Sequence, residues 1–237
     1  MGGGKENGGE TDGMTLAIYG AGGMGGEFLT LAEAINAKEN RWEEIVFLDD
    51  AGKDVEFLGH RMYTMEQLQD QYAPGELEVT ISVGEPIIRA KMADRAEAAG
   101  YSLATMVYPR PGGIPYGVVL EPGATIMTPM VGLGSFAHLG KNVLMQGYSS
   151  VGHGTYLGDN TNVSCFVQIS GGCKIGKNVF FGIQSVVKEG ITIGDNAIIG
   201  MCAPVFRDVP ENYTVFHAVS KMVPHEPGTR ALGGNYN

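Results

Sequence analysis

The sequence predicts two domains in series, an α/β domain followed by an all-β, left-handed parallel β-helix. Three observations carry that prediction. From Leu133 to Val205 every sixth residue is apolar for thirteen consecutive positions, which at 43% apolar content would arise by chance about twice in a hundred thousand. In phase with it, the residue four later is small or β-branched at every repeat, from Ala137 to Ala203. Ahead of the repeat, short apolar runs alternate with helical patterns and turns, which implies a small parallel sheet covered on both faces.

Residues 1–13 are polar and glycine-rich without an apolar segment, and read as a disordered tail rather than a signal peptide. The first domain spans residues 14–108. Thr15 to Tyr19 is an apolar strand that meets Gly20-Ala21-Gly22-Gly23-Met24-Gly25, and a helix carrying Phe28, Leu31, Ala32 and Ile35 follows. Glu44 to Leu48 is a second strand ending in Asp49-Asp50. Thr64 and Gln67 form a capping box for a short helix holding Met65 and Leu68. Leu77 to Val83 is a third strand, Glu85 to Ala99 a helix, and Leu103 to Val107 a further strand before Pro109 and Pro111.

A pattern Gly20-x-Gly22-x-x-Gly25 is a weak signal alone. Here it follows a strand, opens a helix, and precedes acidic residues at the tip of the next strand. Glycines let the backbone approach a phosphate, and the helix N-terminus offers it free N–H groups. A carboxylate at Asp49 or Asp50 can accept hydrogen bonds from a ribose or base. A domain of about ninety residues is half a dinucleotide fold, so a mononucleotide fits it better than NAD. A tight turn that binds nothing is the plainer reading of the same residues.

Residues 109–222 form the second domain, with a tail at 223–237. A period of six fits a chain wound as a triangular prism, one short strand per face and eighteen residues per coil. The repeated apolar residue fills the axis and the small one fits beside the corner. Glycine usually follows the apolar residue, as at Gly134, Gly152, Gly158 and Gly176, and reads as the source of the positive φ that tight corners need.

The net charge of −10 and a pI near 4.9 argue against nucleic acid and anionic membranes as partners. No run of 18 apolar residues is present to insert in a membrane. Three cysteines, Cys165, Cys173 and Cys202, suggest reduced thiols in a cytoplasmic protein rather than a disulfide framework.

The strand–glycine–helix segment Ile18 to Gly25, the Phe47-Leu48-Asp49-Asp50 tip, the coils with Val151-Gly152-His153 and the closing Arg207-Asp208-Val209-Pro210 together resemble one family. It is the sugar acetyltransferases of the PglD/NeuD type, with a Rossmann-like first domain, and the resemblance covers residues 14 to about 222. It implies a homotrimer that uses acetyl-CoA and no metal. The acceptor would be a nucleotide-linked amino sugar acetylated on nitrogen, or a sialic-acid-type sugar acetylated on oxygen. It further implies that Gly20, Gly22, Gly25, Asp49 and Asp50 hold the acceptor's nucleotide. CoA would lie in the groove between adjacent prisms, with Gly171 donating to the oxyanion and Ile183 and Met201 making backbone contacts.

The residues agree at His153. Acetyl transfer needs a base to take the nucleophile's proton, and histidine titrates in the useful range without tuning. Lying two beyond the inward Val151, near a corner, His153 projects outward, where a neighbouring subunit can complete a cleft. The plainer reading is a solvated corner histidine.

Several positions depart from the family pattern. Met24 stands where histidine is common, Gly152 and Gly154 flank the base where an acidic residue is usual, and Asn162 replaces a second histidine. Gln146 replaces a frequent asparagine, Met201 a glycine, and His217 to Lys221 loses the glycine and proline of the terminal signature. Gln146 and Asn162 remain candidate acceptor contacts. His138 reads as a surface residue and the next base to test. Only His138 and His153 lie among the coils, so a zinc site built from three histidines is disfavoured. A trimeric scaffold that has lost activity is the competing function. A nucleotidyltransferase is set aside, because its nucleotide domain would need to be about twice as long and basic.

Overall fold

The computed structural model describes residues 13–51 and 55–217. Nearly all of the two expected tails, and all of the terminal signature beyond His217, lie outside them.

In the first domain, β1 (Thr15–Tyr19), α1 (Gly23–Glu39), β2 (Glu44–Leu48), β3 (Glu56–Phe57), β4 (His60–Tyr63), α2 (Met65–Gln71), β5 (Leu77–Ile81), α3 (Pro86–Ala98) and β6 (Ser102–Leu103) build one sheet with helices on both sides. The strand order is β3-β4-β2-β1-β5-β6, parallel except for the β3–β4 hairpin. Every residue of β1 is buried, as a central parallel strand requires. Its alternation sends Leu16 and Ile18 to the α1 side with Phe28 and Leu31, and Ala17 and Tyr19 to the α2–α3 side with Leu68 and Ala93. The Thr64–Gln67 capping box forms in both directions at the start of α2. The hairpin was not legible beforehand, because its strands are short and polar.

The strand expected over Leu103–Val107 is two strands. Ser102–Leu103 closes the first sheet beside β5, whereas Met106–Val107 pairs with Thr125–Ile126 and belongs to the prism. The chain therefore changes domain near Ala104–Thr105, earlier than Tyr108.

The prism has three parallel faces, in eighteen-residue register from Gly132 to Val205, with an offset of nineteen in the coils before and sixteen at the last pair, Ile198 with Thr214. Leu144, Asn162, Phe180 and Ile198 stack on the first, Ser150, Gln168, Val186 and Pro204 on the second, and His138, Tyr156, Lys174 and Thr192 on the third. The axial residues are buried from Leu139 to Val205, with Leu133 half-buried at the open end. Each four-later residue, from Ala137 to Ala203, is buried beside them.

The glycines that follow the axial residues act differently from the expectation. Gly134, Gly152, Gly158 and Gly176 do not have positive φ. They are small because the next coil passes too close: a Cβ on Gly158 would sit 2.5 Å from the carbonyl carbon of Gly176. The left-handed corners fall three residues after each axial residue from Leu133 to Ile199. On the edge between the third and first faces that slot is asparagine, at Asn142, Asn160, Asn178, Asn196 and Asn212. Asparagine tolerates this backbone best among residues with a Cβ, and here the amides form a ladder. Each Nδ2 donates to the Oδ1 of the next coil at 2.9, 3.2, 3.0 and 3.1 Å.

The first face of the prism is covered by the first domain as far as Asn162, whereas Ile198 at its other end is exposed. Met106, Met127 and Leu144 bury their side chains in the same cluster as Phe28, Leu31 and Ile35 of α1. The Glu97–Lys141 ion pair, at 2.8 Å, lies at the same junction.

Candidate active site

Residues eighteen apart share a slot, so His153 has Ser135 above it and Gly171 below. The imidazole lies directly over Gly171: a Cβ there would be 2.7 Å from Cε1 and 2.9 Å from Nδ1 of His153. Only glycine leaves room for the ring. The His153 carbonyl accepts from Gly172 N at 2.9 Å, and Gly154 N donates to Ser135 O at 3.0 Å. These bonds fix the corner while the side chain stays exposed. Among the described residues the Gly171 N–H has no acceptor. The same holds for Ile183 and Met201, which occupy the equivalent slot on another edge, so a free N–H belongs to the slot. What distinguishes Gly171 is the imidazole beside it. Ile183 and Met201 are exposed, at 45% and 65%.

In the glycine turn, Gly20 has φ +117, and a Cβ on it would meet Ser82 Oγ at 2.7 Å. A Cβ on Gly25 would meet the Gly20 carbonyl oxygen at 2.4 Å, so these two glycines serve the close packing of helix on strand. Gly22 and Gly23 face open space, and the N-cap residue Gly22 makes no side-chain cap, which leaves the first turn of α1 free to meet an anion.

The two aspartates divide. Asp49 is half-buried and ties the tip of β2 to the turn, its Oδ2 accepting from Ala21 N at 3.0 Å and its Oδ1 from Ala51 N at 2.9 Å. It also lines a cavity of about 640 Å³ with Glu56, Arg61, Thr64, Gln67 and Asp70. Asp50 accepts from the Tyr19 hydroxyl, Arg95 and Met65 N, so its carboxylate serves the fold. Burial, and then the adjacent Asp50, push the Tyr19 hydroxyl up to about 12. A larger cavity of about 710 Å³ lies at the last coil, between Pro204 and Val215, and holds none of the candidate residues.

Gln146 and Asn162 meet on the first face, Gln146 Nε2 donating to Asn162 Oδ1 at 3.1 Å. The first domain reaches them: the Cβ position of Gly84 is 3.3 Å from Met24 Cε and 3.9 Å from Asn162 Nδ2. The fold thus joins the glycine turn to the Gln146–Asn162 pair. It does not bring His153 to them, because the whole second face lies between. His153 and Gly171 stand on the far edge of that face, and Ile183 and Met201 on the near edge. His138 lies on the third face, paired with Glu121 at 3.2 Å and 4.9 Å from the Tyr156 ring.

Three participants were not found from sequence. Ser82 Oγ lies 2.9 and 2.8 Å from the carbonyl oxygens of Tyr19 and Gly20, pinning the start of the turn. Gly84 lies between the two domains. Thr128 faces Gly147 of the next coil, whose Cβ position is 3.5 Å from its Oγ1, and buries its hydroxyl without a partner among the described residues. Ser82 and Gly84 carry no local signal. Among the described residues no three His, Cys, Asp or Glu side chains cluster as metal ligands would, and no helix is long and apolar enough to cross a membrane.

Residues 15–96 match the family model of the PglD N-terminal domain, and residues 172–203 that of the bacterial transferase hexapeptide repeat. No curated protein matches the chain. Among solved structures, the acetyltransferase domain of PglB from Neisseria gonorrhoeae FA1090 is 25% identical, with a TM-score of 0.75 over 84% of this chain and 95% of that one. PerB from Caulobacter crescentus, in complex with CoA and GDP-perosamine, is 23% identical, with a TM-score of 0.70 over 84% and 92%. WeeI from Acinetobacter baumannii AYE is 21% identical, with a TM-score of 0.57 over 85% and 95%. The chain carries both modules that the sequence resemblance named, in the same order and over nearly the full length of these structures.

Proposed function

We propose that the chain is an acetyl-CoA-dependent acetyltransferase acting on the amino group of a nucleotide-linked amino sugar. The observation that carries this reading is the imidazole of His153 lying over Gly171, beside a backbone N–H without an acceptor. A base and an oxyanion donor one coil apart are what acyl transfer from a thioester requires. The complexes of similar proteins support it: a PglB domain, 24% identical with a TM-score of 0.76, is in complex with acetyl coenzyme A, and PerB with CoA and GDP-perosamine.

In the proposed mechanism the sugar amine attacks the thioester carbonyl as His153 removes its proton. The carbonyl oxygen becomes an oxyanion that accepts from the Gly171 N–H. Collapse of the tetrahedral intermediate expels the CoA thiolate, which takes the proton from the imidazolium. Ile183 and Met201 contribute backbone N–H groups to CoA. The acceptor's diphosphate meets the first turn of α1 at Gly22 and Gly23, with Gly20 and Gly25 shaping the turn. Asp49, rather than Asp50, is the carboxylate offered to the nucleoside, and Gln146 and Asn162 face the sugar. The partner is two further copies of the chain: a homotrimer sets the His153 edge of one prism against the acceptor half of the next.

The test is CoA release with acetyl-CoA and a panel of GDP-, UDP- and dTDP-linked amino sugars. Turnover is expected, and His153→Ala should lower it by about 10²–10⁴ without unfolding the coil, because the side chain fills no core slot. Tight acetyl-CoA binding with no turnover of any acceptor would refute the reading in favour of a scaffold.

A further inference from the structure

Arg89 of α3 is fully buried and has no ion pair among the described residues. Burial lowers its pKa to about 9, so it stays cationic at neutral pH. A buried cation without a counter-charge is costly unless its donors are satisfied, and here every contact is with a carbonyl or amide oxygen. Nη1 donates to Ile81 O at 2.7 Å and Val83 O at 2.8 Å, at the end of β5. Nη2 donates to Asn142 O at 2.8 Å and Asn142 Oδ1 at 2.7 Å, and Nε to Asn142 O at 3.3 Å. Asn142 is the first rung of the asparagine ladder, held at φ 56 and donating onward to Asn160.

The guanidinium therefore fastens the end of β5 to the prism at one point of the ladder. What it fastens is the segment that separates the two halves of the acceptor site. Ser82 bonds to the beginning of the glycine turn, and Gly84 fits between Met24 and Asn162. The planar fork of arginine engages both segments at once, which the single point charge of lysine cannot do.

We propose that Arg89 is a positioning residue that sets the gap between the glycine turn and the Gln146–Asn162 pair, and with it the fit of the acceptor. Its effect on acceptor binding rests on the acetyltransferase reading; the clamp itself does not. Arg89→Lys keeps the charge and loses the fork, and Asn142→Gly suits the left-handed backbone while removing the amide. Arg89→Lys should raise acceptor KM about tenfold, the worth of one or two charged hydrogen bonds, Asn142→Gly should raise it less because the Asn142 carbonyl stays, and both should leave the KM for acetyl-CoA within about twofold. The double variant should be no worse than Arg89→Lys alone, because the Asn142 amide oxygen acts on this segment through the guanidinium that Lys has already removed.

Hydrogen exchange provides the second readout. Arg89→Lys should speed exchange at residues 82–85 and 20–25 and leave residues 150–205 unchanged. Leu68→Ala, a core cavity elsewhere in the first domain, is the control: it should lower Tm without moving acceptor KM. Equal rises in both KM values, a fall in Tm alone, or unchanged exchange in the lysine variant would overturn the proposal. Faster local exchange alongside a wild type that turns over no panel acceptor would overturn the acetyltransferase reading and leave the clamp standing.

Discussion

Gly171→Ala probes the contact on which the proposed chemistry depends. The new Cβ would lie 2.7 Å from Cε1 of His153, so the ring must retreat by about 0.7 Å to regain ordinary contact. The fold should tolerate this. The imidazole is exposed and can rotate away, and Gly171 does not have positive φ, so alanine meets no backbone strain. The Gly171 N–H also survives the change, which leaves the displaced ring as the cause of any loss. A misplacement approaching 1 Å costs up to about 10² in rate, so kcat should fall by about that factor while Tm stays at the wild-type value. The assay is initial-rate CoA release against both substrates, with thermal unfolding alongside. In the His153→Ala background the same substitution should have no further effect. A Gly171→Ala enzyme with normal kcat, or an additive loss in the double variant, would refute the placement of the imidazole as the working base.

The two kinds of glycine in the prism should respond oppositely. Gly158→Ala pushes a Cβ to 2.5 Å from the backbone of Gly176 and should cost about 1–3 kcal/mol in denaturant unfolding. Gly190, with φ +71 and open space around its Cβ position, should accept asparagine within about 0.5 kcal/mol. Because its folded pKa of about 12 exceeds the ordinary value of 10, the protonated Tyr19 hydroxyl stabilises the fold fully below pH 10 and loses that contribution as pH rises through about 12. Tyr19→Phe should remove that part of the alkaline fall in Tm.

Much of the prism was legible because its determinants are local. An axial residue every six positions and a small one four later need no distant partner to be recognised. The glycine role was misread for a physical reason: sequence does not distinguish a glycine needed for its φ from one needed because another coil passes overhead. The φ signal was present elsewhere, as Asn142, Asn160, Asn178 and Asn196 at eighteen-residue spacing. In the first domain, the strand–turn–helix grammar located the Gly20–Gly25 turn and Asp49. It did not separate Asp49 from Asp50, since the groups that occupy Asp50, Tyr19 and Arg95, lie 31 and 45 residues away. Gly84 and Arg89 escaped for the same reason, since the prism residues they meet, Asn162 and Asn142, lie far along the chain.

The division of the candidate residues across two edges of the prism makes a demand that one protomer cannot meet. The acceptor half lies with the covered first face, and His153 with Gly171 lies beyond the second. If the proposed reaction takes place, His153 of one copy must serve the glycine turn of another. Two variants make this testable. His153→Ala removes the base, and Gly22→Tyr fills the open space before the first turn of α1, where no neighbour lies within 4 Å. Each alone should be inactive yet assembled. Co-expressed with different tags and purified as mixed trimers, they should regain about a third of wild-type activity, since every cyclic trimer holding both variants has one junction of its three with both halves intact. Mixed assemblies that stay inactive would mean that base and acceptor meet within a single protomer, and the reading of the second face as the gap between half-sites would fall.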